Sequence, residues 1–205
     1  MKLPKSNLPV FALLVCLWAA LTSAAPAAAA PGGEHDLVPT YGSGRYHLFI
    51  FSDYFCQPCQ NLEKELDGRV QKLISERGVQ VSFVDMPIYK LTPLYAKYFL
   101  YAVKAAKSYR EVLQARKVLF DKASRFGAIT EPQLVNALQA EQISLTPFDV
   151  QPVLAQYNGL IKKYQVRGTP TFVFVYTPQD VRKYVGDKDI KRGLTELDQA
   201  LKRRR

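Results

Sequence analysis

The apolar positions along the chain change period several times, and each change marks an element. Tyr46 to Ser52 (YHLFIFS) is almost continuously apolar, the pattern of a central strand buried on both faces. Leu62, Leu66, Val70, Leu73 and Ile74 then recur at helical spacing, and Gly78 closes that helix. Val79, Val81 and Phe83 alternate with Gln80 and Ser82, a second strand reaching Met86. Strand, turn, helix and strand make a βαβ unit. Upstream, 31–41 offers one further edge strand, with Gly42-Ser43-Gly44 as a turn.

Residues 89–164 read as wholly helical. Tyr95, Phe99 and Val103 mark one helix; Val112, Ala115, Leu119 and Ala123 mark another. Thr130-Glu131-Pro132-Gln133 has the form of a capping box with proline near the first helical position, followed by Leu134 and Leu138. Thr146-Pro147 predicts the start of the longest helix of this set, with a stripe of Val150, Val153, Leu154, Tyr157, Leu160, Ile161 and Tyr164. Strand character returns at Thr171 to Tyr176 and again at Arg182 to Val185, after a turn at Pro178. Asp187 or Asp189 is the expected cap of a final helix carrying Ile190, Leu194, Leu197 and Leu201. Neither strand-bearing segment can bury its faces alone, so the pattern predicts one α/β sheet domain interrupted by an all-helical insertion. The expected division is 31–88 for the first part of the sheet domain, 89–164 for the insertion and 165–205 for the second part.

The first 30 residues stand apart. Lys2 and Lys5 are followed by an apolar stretch from Leu8 to Leu21 and a tail of small residues, the three-part form of a secretory signal peptide. Cleavage is expected near Ala28 to Ala30; an uncleaved anchor is the competing reading. Removing this leader takes away Cys16 and Trp18. It also lowers the formal charge from +10 to +8, because Lys2 and Lys5 leave without an acid. The remaining Lys and Arg are interleaved with acids along helices. The one dense cluster, Lys202-Arg203-Arg204-Arg205, ends a helix whose dipole it complements. That distribution reads as a solvated surface rather than a nucleic-acid site.

What remains is two cysteines in one Cys56-Gln57-Pro58-Cys59 turn, placed where the first strand feeds a helix. Unpaired N–H groups at the helix start stabilise a Cys56 thiolate, the attacking species. Cys59, one turn deeper, is expected to be more buried and to resolve the mixed disulfide that Cys56 forms. Pro58 restrains the helix start, and Gln57-Pro58 tune the thiolate. A purely stabilising disulfide closes too small a loop to gain much. A closed zinc site needs four ligands, and beyond the cysteines there are only His35 and His47, far apart in sequence. Two thiolates do suffice for a soft copper ion, so a copper-carrying or chaperone-like binding module remains a competing reading. A second motif, Val166-Arg167-Gly168-Thr169-Pro170-Thr171-Phe172, places a proline at a strand start, where a missing donor is tolerated and a cis bond can sit.

Together, Phe55-Cys56-Gln57-Pro58-Cys59 and Gly168-Thr169-Pro170-Thr171 resemble the active-site turn and the proline loop of the thioredoxin superfamily. The helical block between them, and Phe51-Ser52-Asp53-Tyr54-Phe55 before the turn, are similar to the DsbA-like branch. The resemblance implies a thioredoxin fold with a helical insertion and a redox-active Cys56–Cys59 disulfide with no other cofactor or metal. It implies a cis Pro170 facing that disulfide and a Thr169 backbone that binds extended substrate segments. Gln57, Pro58, Asp53 and Phe55 are the expected modulators of the turn. It further implies a periplasmic monomer acting on folding secreted proteins with cysteines, served by a membrane partner of DsbB-like or DsbD-like type, with no nucleic acid involved. Three departures bear on direction. Gln57-Pro58 replaces the Pro-His of the strongest oxidases. Ile50 stands where the superfamily often buries an acid. Asp53 and Thr169 are closer to the DsbC and DsbG isomerases. The expectation is a dithiol oxidase, milder than the strongest; a reductase or isomerase kept reduced by a membrane donor, including one preparing thiols for haem or metal insertion, is the alternative. Tyr89, Tyr95, Tyr98, Phe99, Tyr101 and Tyr109 in the insertion read mainly as core, with some available to line a substrate groove.

Overall fold

A computed structural model describes residues 37–203 apart from 77, 127 and 128. The expected leader over 1–30, with Cys16 and Trp18, lies outside the described residues, as do His35 and the last two arginines. In chain order the elements are β1 (Thr40–Ser43), β2 (Tyr46–Ser52), α1 (Gln57–Ser75), β3 (Val79–Asp85), α2 (Thr92–Ala105), α3 (Tyr109–Phe126), α4 (Glu131–Ala140), α5 (Gln151–Lys163), β4 (Thr171–Thr177), β5 (Asp180–Val185) and α6 (Asp187–Lys202). The strands form one sheet in the order β1-β3-β2-β4-β5. β2 and β3 are parallel, and every other neighbouring pair is antiparallel. No described helix is long and apolar enough to cross a membrane.

The central position of β2 explains its composition. Successive side chains point to opposite faces, and both faces are covered. Tyr46, Leu48 and Ile50 join a core with Leu62, Leu66 and Val70 of α1 and Ile190 and Leu194 of α6. Phe49 and Phe51 pack on the other face with Val153, Tyr157 and Leu160 of α5. Helices α2 to α5 lie in sequence between β3 and β4. Helices α2, α3 and α4 share the first core: Phe99 meets the Phe83 ring edge-on at 6.3 Å, and Tyr54 packs against Tyr95 at 5.6 Å and Phe120 at 4.9 Å.

Several boundaries differ from the sequence pattern for identifiable reasons. β1 includes Gly42 and Ser43, and the turn sits at Gly44 and Arg45 instead. Gly44 has φ +144°, and a Cβ there would lie 2.1 Å from the Gly78 carbonyl carbon, so the close approach of the two turns requires glycine. α5 starts at Gln151 rather than at Thr146-Pro147. The Thr146 N–H donates to the Tyr101 carbonyl at 3.0 Å, which ties this stretch to α2. The first helical N–H, that of Gln151, is taken by Asp149 Oδ1 at 3.0 Å, with Pro152 in the first turn. The longest helix of the block is therefore α3, with 18 residues, and not α5, with 13. Gly186, not an aspartate, occupies the N-cap of α6; Asp187 and Asp189 lie in the first turn, where they favour the dipole. At α4, Gln133 Oε1 accepts from both the N–H and the hydroxyl of Thr130, at 2.8 and 3.0 Å.

Candidate active site

The reactive turn hangs between the end of β2 and the start of α1. Cys56 is the N-cap of α1 with extended backbone (φ −79°, ψ 112°), and Pro58 lies in the first turn. The Cys56 N–H donates to the Asp53 carbonyl at 3.2 Å, and its own carbonyl accepts the first helical bond from Gln60 at 3.0 Å. Gln60 is buried, and its side chain ties the turn back to the Tyr54 carbonyl at 2.8 Å. Gln57 and Pro58 are exposed. Cys56 and Cys59 are present as thiols, 6% and 2% exposed, so the first is the more accessible.

Their surroundings drive the two thiols apart. The hydrogen bond donated by the Cys59 thiol is the main cause that lowers the Cys56 pKa to about 6; the Thr169 side chain and the Cys59 N–H act in the same direction, against burial. That same hydrogen bond, together with burial, pushes Cys59 far above the ordinary thiol range. Near pH 7 the pair therefore holds one negative charge, on Cys56.

The loop before β4 arrives from the far side of the insertion. The Thr169–Pro170 peptide is cis, and Pro170 is buried. The Cys56 thiol donates to the Thr169 carbonyl at 3.4 Å. The Thr169 hydroxyl is buried without a hydrogen-bond partner, and its side chain also contributes to lowering the Cys56 pKa. The loop is fixed on both sides: Thr171 Oγ1 donates to the Gly168 carbonyl at 2.7 Å, and the Gly186 N–H donates to the Pro170 carbonyl at 3.1 Å. The structure thus brings Cys56, Cys59, Thr169 and Pro170 together from opposite ends of the sequence.

Asp53 is fully buried, and its bonds go well beyond the turn. Oδ1 accepts from the Phe55 N–H at 2.8 Å, the local turn-capping bond. Oδ2 accepts from the N–H groups of Ile88 and Tyr89, at 3.0 and 3.3 Å, and from the Thr92 hydroxyl at 2.6 Å. One carboxylate therefore joins the reactive turn to the loop leading into α2. Phe55 is half-buried and packs edge-on against Tyr95 at 4.9 Å.

Beneath the turn lies a cluster that motif reading missed. Arg116 of α3 is completely buried. Its Nε donates to Glu63 Oε1 at 2.8 Å and its Nη2 to Ser52 Oγ at 2.8 Å, while Nη1 stands 3.9 Å from Asp85 Oδ1. The Phe83 and Phe120 rings flank its guanidinium at 4.5 and 4.8 Å. Asp85 also accepts from the Tyr54 hydroxyl at 2.9 Å, and burial raises its pKa to about 6. So an acid is buried here although Ile50 holds the position where the superfamily often has one; it comes from the end of β3. A cavity of about 20 Å³ touches Cys59, Glu63, Arg116 and Pro170, linking this cluster to the deeper cysteine. The available signal was Arg116 itself, a charge on the stripe of Val112, Ala115 and Leu119. His47 is structural: its Nε2 hydrogen-bonds Ser82 Oγ at 2.8 Å and its ring stacks on Phe49.

Residues 34–201 match the thioredoxin-like domain family. Comparison with curated protein sequences finds no match. Among solved structures, the chain is similar to a periplasmic thioredoxin-like protein from Salmonella enterica serovar Typhimurium, at 19% identity and a TM-score of 0.60, covering 80% of this chain and 90% of that one. The catalytic domain of Proteus mirabilis ScsC aligns at 19% identity and a TM-score of 0.59, over 80% and 89% of the two chains. Wolbachia pipientis alpha-DsbA1 aligns at 15% identity and a TM-score of 0.60, over 81% and 94%. At these identities the likeness establishes the fold, a thioredoxin fold of DsbA-like layout. Five strands in the order β1-β3-β2-β4-β5, a Cys-Gln-Pro-Cys turn at the start of α1 and a match over nearly the whole described chain lead to one assignment: this protein belongs to the thioredoxin-like domain family.

Proposed function

We propose that this chain is a periplasmic thiol–disulfide oxidoreductase that acts as a dithiol oxidase on secreted proteins acquiring disulfides. The observation that carries the reading is the placing of the pair: Cys56 is the N-cap of α1 within 3.4 Å of the Thr169 carbonyl of the cis-proline loop, with Cys59 one turn deeper and more buried, an asymmetry that lowers the Cys56 pKa and raises that of Cys59. A stabilised Cys56 thiolate stabilises the reduced form, which makes the disulfide an electron acceptor. It also makes Cys56 a good leaving group.

In the proposed cycle a substrate thiolate attacks Cys56 Sγ of the Cys56–Cys59 disulfide. The S–S bond breaks, Cys59 leaves and takes a proton, and a mixed disulfide joins Cys56 to the substrate. A second substrate thiolate then attacks its own partner sulfur and releases Cys56 as the thiolate. Two electrons have moved from the substrate to the protein, and a membrane partner of DsbB-like type accepts them to restore the disulfide. The disulfide is the whole redox group, with no further cofactor or metal. Thr169 and Pro170 present backbone to an extended substrate beside Cys56; Gln57, Pro58, Asp53 and Phe55 shape the turn. The leader pattern and the interleaved surface charge support export, a monomer and no nucleic-acid partner.

The reduction potential measured against glutathione tests the direction. A Cys56 pKa between those of DsbA (~3.5) and thioredoxin (~7) sets the expected potential between about −120 and −270 mV. A value at or below the thioredoxin end would reverse the direction and make the protein a reductase.

A further inference from the structure

The start of β2, the end of β4, the start of β5 and the last turn of α6 together line a cleft of about 320 Å³. Two tyrosine rings line it, Tyr46 and Tyr176, packed edge-on with centroids 5.2 Å apart. An arginine stands over each ring. The Arg45 guanidinium is 5.9 Å from the Tyr46 centroid, and that of Arg182 is 4.7 Å from the Tyr176 centroid. Arg203 lines the cleft from the end of α6.

The acceptors of this cleft are committed, and several donors are not. Arg182 donates to both oxygens of Asp180, at 2.8 and 2.9 Å, and to Glu196 Oε2 at 3.0 Å. The same Glu196 oxygen takes the Tyr184 hydroxyl at 2.6 Å. Thr177 Oγ1 accepts the N–H groups of Gln179 and Asp180, at 3.2 and 3.0 Å. By contrast, Arg45 and Arg203 form no ion pair with any described residue. Tyr176 is only 9% exposed, and its hydroxyl is buried without a hydrogen-bond partner. Arg45, Arg182 and Arg203 face Asp180 and Glu196, so one positive charge is left over. Spare donors beside neutralised carboxylates select a ligand that brings acceptor oxygens and negative charge.

The donor type narrows the ligand. A guanidinium is a planar fork that pairs with two phosphate oxygens at once. Arg45 and Arg203 approach from two separate elements, which suits different oxygens of one tetrahedral group. The tyrosine rings and Ala200 offer apolar surface for the organic part of an ester. We propose that this cleft is a phosphate-binding site, which takes the phosphate of an organic ester on Arg45 and Arg203 with the Tyr176 hydroxyl as a further donor. It lies at the end of β2 remote from Cys56. The seven residues of that strand, at about 3.3 Å each, separate the two by about 20 Å. The site is therefore independent of thiol exchange, and its test does not read that activity.

The test uses the full chain with two probes that carry the same chemistry. One is glycerol 3-phosphate, titrated by calorimetry. The other is sedimentation with phosphatidylcholine vesicles, with and without about one-third phosphatidylglycerol. Saturable binding of at least one probe is expected. The Arg45→Gln/Arg203→Gln variant should weaken it at least about tenfold, and Tyr176→Phe about threefold or more. Arg45 and Arg203 are exposed, so their replacement leaves the fold intact. An Arg204→Gln/Arg205→Gln variant should change binding less than about twofold. Binding to glycerol 3-phosphate alone identifies a soluble ester as the ligand. Phosphatidylglycerol-dependent sedimentation that only the cleft variants lose identifies a lipid headgroup. Three results overturn the site: no saturable binding to either probe, undiminished binding by the Arg45→Gln/Arg203→Gln variant, or an equal loss in the Arg204→Gln/Arg205→Gln variant, which would assign the affinity to the basic tail.

Discussion

At the scale of single residues, the chemistry rests on which sulfur carries the charge. Cys56 sits near 6 because the Cys59 thiol donates to it, so alkylation of the reduced protein by iodoacetamide should fall steeply as pH drops below about 6. A thiol that titrates near 9 instead would remove the assigned asymmetry. Cys59→Ser should accumulate mixed disulfides through Cys56, visible as higher-mass species on non-reducing gels; Cys56→Ser should form none. Asp53 argues a second point. Its two oxygens accept from four donors drawn from two segments. Asp53→Asn cannot serve both sets, because its amide nitrogen must face N–H groups on one side or the other. A loss of about 3 kcal/mol in urea unfolding is expected, close to that of Asp53→Ala. A change below about 0.5 kcal/mol, the size of an ordinary surface substitution, would show that these bonds do not hold the loop.

At the scale of elements, α1 and α3 meet through a buried charge. Arg116 supplies the cation for Glu63 and Asp85, and the Tyr54 hydroxyl completes Asp85. Removing one member of such a cluster strands the rest. Arg116→Met should cost about 3–5 kcal/mol, measured by chemical denaturation. Replacing Arg116, Glu63 and Asp85 together with apolar residues should restore much of that loss. The elements themselves were mostly legible. β2 and β4 announced themselves because a strand covered on both faces must be apolar throughout, and the α1 stripe because one helical face meets the sheet. The start of α5 was not legible. Thr146-Pro147 and Asp149 followed by Pro152 are both acceptable helix starts, and the choice is made by the Tyr101 carbonyl, a long-range partner that no local pattern contains. The reach of Asp53 was hidden for the same reason. Its role in capping the turn is a bond to a residue two positions on, whereas Ile88, Tyr89 and Thr92 lie far along the chain.

At the scale of the whole molecule, the helical block and the sheet are one packed body. Phe83 of β3 meets Phe99 of α2, and Tyr54 at the end of β2 meets Tyr95 and Phe120. Helicity at 222 nm and near-ultraviolet tyrosine signals should therefore be lost in a single coincident urea transition. Two separated midpoints would show that the block holds its structure without the sheet. The paired motifs were readable as a site only through their resemblance to a family. Cys56 and Thr169 are far apart in sequence, and a sheet must exist before they can meet.

That sheet has an order of assembly built into it. β2 lies between β3 and β4, and His47 pairs with Gln80 on one side and Val175 on the other. The first partner follows after one helix; the second emerges only after the whole helical block. Throughout that interval a largely apolar central strand has an open edge, able to pair with another chain. Until then YHLFIFS is a segment open to edge-to-edge pairing, and the arrival of Thr171 to Thr177 closes that edge and also brings Pro170 to the cavity it shares with Cys59. Closing the open edge of β2 and completing the reactive centre thus depend on the same strand pairing, the one between β2 and β4.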